Sequence, residues 1–218
     1  MCCPHPGAAR AEGGSVKERP ILMSAPMVRA ILEGRKSQTR RIVKLPAWAQ
    51  ECNEDHDFEL DGSPPWPHAI ARKTGCLAPL ECPYGAPGDR LWVRETWAML
   101  SGDNRVWYRA DPGVEDCVAR SLIGWPGWHP SIFMPRENSR ITLEVTAVRV
   151  ERLQEITSAD AIAEGCAAHA NSQTIDCSTP DPRDDYRRLW DSLNAKRAPW
   201  SSNPWVWVVE FKSAPESP

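Results

Sequence analysis

The stretch Glu33-Gly34-Arg35-Lys36-Ser37-Gln38-Thr39-Arg40-Arg41 joins a short helix to a strand, and the interpretation of the whole chain depends on it. Between Ser24, a typical N-cap residue, and Gly34, a typical helix-ending residue, apolar side chains recur at helical spacing. We therefore expect a short helix there. A strand should precede it in residues 19–23, and the chain after the turn should continue as a strand to Val43.

This turn is a basic island on an acidic chain. Residues 35–44 contain five basic residues and no acidic one, whereas the remaining 21 basic and 29 acidic residues give a net charge of −8. Such a distribution predicts an anionic ligand bound at one place and argues against broad, nonspecific binding of nucleic acid. Charge alone is also compatible with a solvated basic loop. The placement of Lys36 and Thr39 within the turn favours a binding site.

Length and composition predict one main domain with extensions. The chain has 218 residues, 41% of them hydrophobic, which is enough for a substantial core. Residues 1–18 and 213–218 lack periodicity and are expected to be a disordered leader and tail around a domain at 19–212. The 21 Pro and 13 Gly are many for this length. They predict two long loop insertions, at about 46–87 and 111–139.

The cysteines predict a reducing environment. Eight Cys occur with no secretory signal and with no apolar run near the ~20 residues that span a bilayer, so we expect a cytoplasmic protein with free thiols and no membrane partner. The Cys and His residues between Cys52 and Cys82 lack paired CxxC spacing, which argues against a zinc site. We predict no metal and no cofactor.

Downstream of the turn, strands alternate with short helices. The strand signal is strongest from Arg140 to Leu153, where the apolar phase shifts near Thr146 and predicts a β-bulge. Trp205–Phe211 is apolar on both faces, which predicts a central strand covered on both sides.

Helices are expected from a capping box at Thr157 to Gly165 and from Asp181 onward. The apolar face of the second helix should be Tyr186, Leu189, Trp190 and Leu193. The predicted fold class is α+β, a small mixed β-barrel with about three short peripheral helices.

An ordered series of motifs across residues 19–212 resembles the ASCH domain, whose barrel is related to the PUA fold of RNA-modifying enzymes. In chain order these motifs are Gly34-Arg35-Lys36-Ser37-Gln38-Thr39-Arg40, Pro87-Gly88-Asp89 before a strand, Glu144-Val145-Thr146 within the longest strand, a short helix containing Glu164, and Val208-Val209-Glu210-Phe211 in the last strand. The segments 91–97 and 204–207 are similar to insert-bearing forms encoded by bacteriophages and prophages. The resemblance implies a PUA-like barrel and a role in RNA or nucleoside metabolism.

One branch of this family is an amidohydrolase that removes the acyl group from N4-acetylcytidine, and Lys36, Thr39 and Glu164 match its Lys, Thr and Glu positions. A hydroxyl is a weak nucleophile until a base takes its proton, and a desolvated Lys with a lowered pKa is such a base. Glu164 would orient the Lys or relay the proton to the leaving amine. Lys36 and Thr39 converge only if the chain turns between them, because side chains three apart on a strand face opposite ways.

Other residues of the matched motifs are candidate ligand contacts, namely Arg35, Ser37, Arg40, Arg41, Arg94 and Glu95. A guanidinium at Arg40 or Arg41 would hold a phosphate or a developing oxyanion. Arg94, with Trp97, would stack on or clamp a base, and Glu95 is a further candidate acid.

Several functions remain open from the sequence. The first is a hydrolase acting on a modified cytidine, and the second is a non-catalytic RNA-binding module that acts on host or phage RNA. In the second, Lys36 and Thr39 only edge a phosphate-binding groove and Glu164 is a surface residue. A ribonuclease is a third, although the chain shows no clustered Asp, Glu and His set for Mg²⁺. A structural phage protein is the fourth.

Overall fold

A five-stranded sheet organises the protein, which has a mixed α+β fold. The computed structural model describes residues 15–45, 58–61, 68–71, 77–99, 105–114, 127–166 and 181–214. Within them the strands are β1 (Glu18–Leu22), β2 (Gln38–Ile42), β3 (Phe58–Asp61), β4 (His68–Ala71), β5 (Leu77–Pro79), β6 (Arg90–Arg94), β7 (Trp97–Met99), β8 (Val106–Tyr108), β9 (Thr142–Arg152) and β10 (Trp205–Ser213). The α-helices are α1 (Ala25–Leu32), α2 (Ser158–Ala163) and α3 (Pro182–Asn194).

The main sheet has the strand order β1-β6-β9-β10-β2. β1 runs parallel to β6, and the other three neighbouring pairs are antiparallel. Within the described residues this sheet is open, with β1 and β2 at its edges, and no closed barrel is formed. Separate small sheets contain β3-β4-β5 and β7-β8. No helix in the described part of the chain is both long and apolar enough to cross a membrane.

β10 is buried on both faces, as its sequence predicted. Val206 and Val208 pack with the residues that follow β9 and with α3, whereas Trp207, Val209 and Phe211 pack into the larger core between the sheet and α1. Its position between β9 and β2 satisfies the backbone on both sides. A strand with apolar residues on both faces gains free energy from both layers.

The predicted bulge in the long strand is confirmed at Thr146. Glu210 of β10 pairs with Ala147, but the next residue, Phe211, pairs with Val145. Thr146 is therefore the extra residue of β9, and the alternation of side chains changes phase there.

The predicted helix boundaries are also confirmed. α1 follows Ser24 and ends just before Gly34, which has φ 71°. α2 opens with a capping box in which Thr157 and Asp160 bond each other's backbone N–H, and Gly165 after it has φ 91°. Both glycines adopt the left-handed conformation that ends helices.

Two expectations need correction. The first insertion, predicted as a loop, contains the antiparallel sheet β3-β4-β5. Its strands have only three or four residues, too few for an alternating pattern to be recognised. In α3, Leu193 is 60% exposed, so the buried face consists of Tyr186 and Trp190 with Leu189 half-buried. The predicted leader up to residue 14 and the tail from residue 215 lie outside the described residues.

Candidate functional site

The C-terminal ends of α1 and α2 lie side by side and are joined by backbone hydrogen bonds. This arrangement places Lys36 against Glu164. Gly34 turns the chain back across the end of α1, so the N–H of Lys36 donates to the Ala30 carbonyl at 3.0 Å. The N–H of the following residue donates to the carbonyl of Ala163, the last residue of α2, at 2.9 Å. Between these bonds, Lys36 and Glu164 form an isolated antiparallel bridge.

Lys36 and Glu164 form a buried ion pair. The Lys36 Nζ donates to Glu164 Oε2 at 2.9 Å and to the main-chain oxygen of Glu164 at 2.8 Å. The two side chains are only 1% and 4% exposed. The sequence prediction that these residues meet across more than a hundred positions agrees with this geometry.

Arg40 holds three carboxylates together beneath this pair. Its Nη1 lies 3.3 Å from Glu164 Oε1, and its Nη2 lies 3.1 Å from Glu151 Oε2 and 3.3 Å from Asp160 Oδ2. The Arg40 side chain is fully buried, but it also lines the cavity described below, and its Nε has no hydrogen-bond partner within the described residues. Arg41 lines the same cavity, so both arginines predicted to hold an anionic ligand group lie at the site.

Burial lowers the pKa of Lys36 more than the nearby Glu164 raises it. The Arg40 guanidinium bonds the same carboxylate and so competes for its negative charge. Two Nζ–H groups of Lys36 are used by Glu164, which leaves the third tetrahedral position of the nitrogen. In the neutral amine that position is a lone pair, which is what a general base requires.

Lys36, Thr39 and Glu164 line one cavity of about 390 Å³, which we call the Lys36 cavity. Thr39 belongs to β2, where it pairs with Val209 of β10. Its hydroxyl has no hydrogen-bond partner among the described residues. The three residues that the family resemblance singled out are therefore brought to one concave site of the size that holds small ligands.

Polar lining residues that were not predicted as site residues include Ser24, Thr96 and Tyr186. Tyr186 is buried, and its position on the apolar face of α3 indicated only a core role. Burial and the charge of Glu164 raise the pKa of Tyr186 well above its usual range, against the opposing effect of Arg40 and Arg41. The phenol therefore stays protonated and can donate a hydrogen bond at the site. The sequence feature that could have identified Tyr186 as a site residue is its polar hydroxyl on an otherwise apolar helix face.

The remaining predicted contacts lie elsewhere in the described structure. Arg35 is exposed and bonds Glu33, and Ser37 is exposed. The Arg94 guanidinium stacks over the Trp92 ring with its carbon 4.6 Å from the ring centroid. Glu95 is buried and accepts two bonds from Arg140, at 2.9 and 3.1 Å.

None of Arg35, Ser37, Arg94 and Glu95 contributes to the described lining of the Lys36 cavity. Trp97 is buried and packs against His129. Burial raises the pKa of Glu95 although Arg140 opposes this. Its bidentate bond to Arg140 indicates a structural ion pair.

In the described part of the chain, no group of three His, Cys, Asp or Glu residues is arranged to hold a metal ion. Comparison of the chain with known protein families, with curated proteins and with solved structures found no match.

Proposed function

We propose that this chain is a nucleoside- or RNA-binding protein of the ASCH type that hydrolyses the amide of an N4-acylated cytidine. The single observation that carries the proposal is the buried Lys36–Glu164 pair at 2.9 Å, which lines one cavity together with Thr39. The proposal includes a PUA-like barrel built around the main sheet, a bacteriophage or prophage origin, and action in the cytoplasm of the bacterial host.

The proposed reaction is acyl transfer to a hydroxyl followed by hydrolysis. Neutral Lys36 Nζ takes the proton of Thr39 Oγ1 while that oxygen attacks the acyl carbon. The tetrahedral intermediate collapses, and the cytidine N4 leaves with the proton that Lys36 had taken. Water then hydrolyses the threonyl ester and releases the carboxylic acid.

The other groups of the site have supporting roles in this scheme. Glu164 orients the Lys36 amine through Oε2 and its main-chain oxygen. Tyr186 and Arg41 line the same cavity and can donate hydrogen bonds to the developing oxyanion.

The test is release of cytidine from N4-acetylcytidine, followed by liquid chromatography for wild type, Lys36→Met and Thr39→Val. We expect both variants to lose about 10³-fold or more in kcat/KM, because each removes a partner of the nucleophilic step. Arg35→Gln is the matched control, since it removes an exposed cation of the same turn. Wild-type protein without turnover, or Lys36→Met with wild-type turnover, would reject the hydrolase.

A pH profile separates a base from a merely structural lysine. Because burial lowers the pKa of Lys36 below 10.5, the neutral amine becomes populated at lower pH than for an exposed lysine. We expect kcat/KM to rise with pH and to level off above that lowered pKa. A profile that still rises through pH 10.5 contradicts the assignment.

One observation favours a second function, binding of RNA without catalysis. Within the described residues the Thr39 hydroxyl has no hydrogen bond to Lys36, so the nucleophile is not pre-activated in the free protein. In this case the protein binds a cytidine-containing RNA, and Arg41→Gln weakens binding while no acyl group is released.

A further inference from the structure

We propose that three hydroxyl-bearing residues of the Lys36 cavity bind the ribose of the ligand, so that the protein selects ribonucleosides over 2′-deoxyribonucleosides. The residues are Ser24, Thr96 and Ser131, and all three line the cavity. We call them the hydroxyl cluster. This inference rests on the proposed function, because it assumes that the cavity holds a nucleoside.

Two neighbouring parallel strands bring Ser24 and Thr96 to the same place. β1 pairs with β6, and their last residues, Leu22 and Arg94, are partners in the register. Ser24 and Thr96 each lie two positions beyond those residues. The N–H of Met23 donates to the Arg94 carbonyl at 3.0 Å, so the pairing of the two segments continues past the strand ends. Ser24 and Thr96 therefore leave the sheet side by side.

A third segment brings Ser131 to the same side of the cavity. The N–H of Trp97 donates to the His129 carbonyl at 3.3 Å, and the N–H of His129 donates back to the Trp97 carbonyl at 2.8 Å. Thr96 directly precedes Trp97, and Ser131 lies two positions after His129. The N–H of the buried Met134 donates to the Ser131 carbonyl at 3.1 Å and closes the turn. Backbone bonds thus fix all three segments of the hydroxyl cluster.

The three hydroxyls are available to a ligand. Ser24 occupies the N-cap position of α1, but its side chain makes no capping bond. Within the described residues the hydroxyls of Thr96 and Ser131 make no hydrogen bond either. A hydroxyl both donates and accepts hydrogen bonds. The ribose 2′-hydroxyl has the same two capacities, and it is the group by which proteins distinguish RNA from DNA.

The charge distribution around the cavity favours a sugar at the hydroxyl cluster. The charged residues in the described lining are Lys36, Arg40, Arg41 and Glu164. They belong to residues 36–41, which include β2, and to the end of α2. β1 and β2 are the opposite edges of the main sheet. The hydroxyl cluster is therefore a neutral part of the lining, which suits a sugar better than a phosphate.

The two parts of the cavity are close enough for one nucleoside to reach both. Arg41 Nη2 donates to the Leu22 carbonyl at 2.7 Å, so the Arg41 side chain reaches the end of β1 just before Ser24. In cytidine, the ring atom that carries the ribose lies across the ring from the carbon that carries N4. A ligand with its acylated N4 at Thr39 and Lys36 therefore directs its ribose to the hydroxyl cluster.

Isothermal titration calorimetry with cytidine, 2′-deoxycytidine and cytosine tests the ribose site without depending on turnover. We expect wild type to bind cytidine about tenfold more tightly than 2′-deoxycytidine, because loss of the 2′-hydroxyl leaves hydroxyls of the cluster without a partner. The triple variant Ser24→Ala, Thr96→Val, Ser131→Ala should bind the two nucleosides with equal affinity. It should bind cytosine as wild type does, because the base lies at the Lys36 end of the cavity.

The triple variant Ser192→Ala, Ser201→Ala, Ser202→Ala is the matched control. It also removes three hydroxyls, but they are exposed and do not line the cavity, so the preference for cytidine should remain. Four results would each overturn the inference: equal affinities of wild type for the two nucleosides, no measurable binding of cytidine, a preference that survives loss of the hydroxyl cluster, or weaker binding of cytosine after that loss.

Lys36→Met separates this inference from the proposed reaction. It should abolish turnover but leave the ratio of the cytidine and 2′-deoxycytidine affinities unchanged, because Lys36 contacts the base end of the ligand. Failure of hydrolysis with an intact ratio rejects the enzyme and keeps the ribose site. Hydrolysis by a wild-type protein that binds both nucleosides equally keeps the enzyme and rejects the ribose site.

Discussion

Arg40 is the residue whose removal should disturb the site most. It is fully buried and bonds Glu151, Asp160 and Glu164, so its loss leaves three carboxylates near one another without their common cation. Removing one partner of a buried ionic network costs about 3–5 kcal/mol. We expect Arg40→Met to lower the free energy of unfolding by this amount in urea denaturation.

Arg35→Gln is the comparison for Arg40→Met, because it removes an equal charge only five positions away. Arg35 pairs with Glu33 where both side chains are about half exposed, at 45% and 53%. Exposed pairs contribute about 0–1 kcal/mol, so this variant should unfold almost as wild type does. Similar losses in the two variants would show that the network around Arg40 does not stabilise the fold.

Asp160 should make stability depend on acid pH. Burial raises the pKa of Asp160, but hydrogen bonds from Thr157 and Gln38 and the charge of Arg40 outweigh burial and hold the pKa at about 2, below its ordinary value of 3.8. The ionised carboxylate therefore stabilises the fold fully above about pH 4, and this contribution is lost as the pH falls towards 2.

The measurement for Asp160 is the free energy of unfolding between pH 5 and pH 2. Wild type should lose stability with falling pH more steeply than Asp160→Asn, which has no carboxylate to titrate. Parallel curves for the two proteins would contradict the assigned pKa.

At the scale of the element, the two helix ends that form the site differ in how tightly they are packed. Gly34 and Gly165 both have positive φ, at 71° and 91°. A Cβ at Gly34 would meet nothing within 4 Å, whereas a Cβ at Gly165 would lie 2.9 Å from the Ala30 Cβ and 3.3 Å from the Lys36 Cβ. The end of α2 therefore packs directly against Lys36.

Substituting the two glycines separates backbone strain from packing. Gly34→Ala should cost about 1–2 kcal/mol, the strain of a left-handed alanine. Gly165→Ala should cost about 3 kcal/mol, because overpacking is added to the strain. It should also reduce turnover by displacing Lys36 from Glu164. Thermal unfolding measures the first effect and cytidine release the second. Equal costs would contradict the packing argument.

Elements with long or distinctive patterns were predictable from the sequence, and short ones were not. The phase shift at Thr146 and the two apolar faces of β10 each depend on several consecutive residues. The local sequence is therefore sufficient to predict them. β3, β4 and β5 are too short for such a pattern, and their pairing is decided by tertiary contacts.

The candidate site was likewise predictable only in part from the sequence. Residue chemistry with the family resemblance predicted that Lys36 and Glu164 belong together. The burial of Arg40 was not predictable, because it arises from partners 111 to 124 positions away. The site role of Tyr186 was missed because helical spacing reports burial and does not report which polar group lies at the end of the side chain.

At the scale of the whole molecule, folding removes much of the positive charge that the sequence displays in residues 35–44. Lys36 and Arg40 are buried with carboxylates, and Arg35 pairs with Glu33. Arg41 lines the Lys36 cavity, and Lys44 is exposed. The basic island of the sequence is therefore a weak electrostatic patch in the folded protein.

The salt dependence of RNA binding tests this conclusion. If all five cations of residues 35–44 met phosphates of a single strand, log Kobs against log salt would have a slope of about −3.5. With one phosphate at Arg41, we expect a slope of about −0.7. Fluorescence anisotropy of a short cytidine-containing RNA at several salt concentrations measures the slope. Arg41→Gln should reduce the magnitude by about 0.7, whereas Arg35→Gln should leave it unchanged. A wild-type slope near −3.5 would contradict this conclusion. It would mean that the ion pairs of residues 35–44 break when RNA binds, so that all five cations contact phosphates.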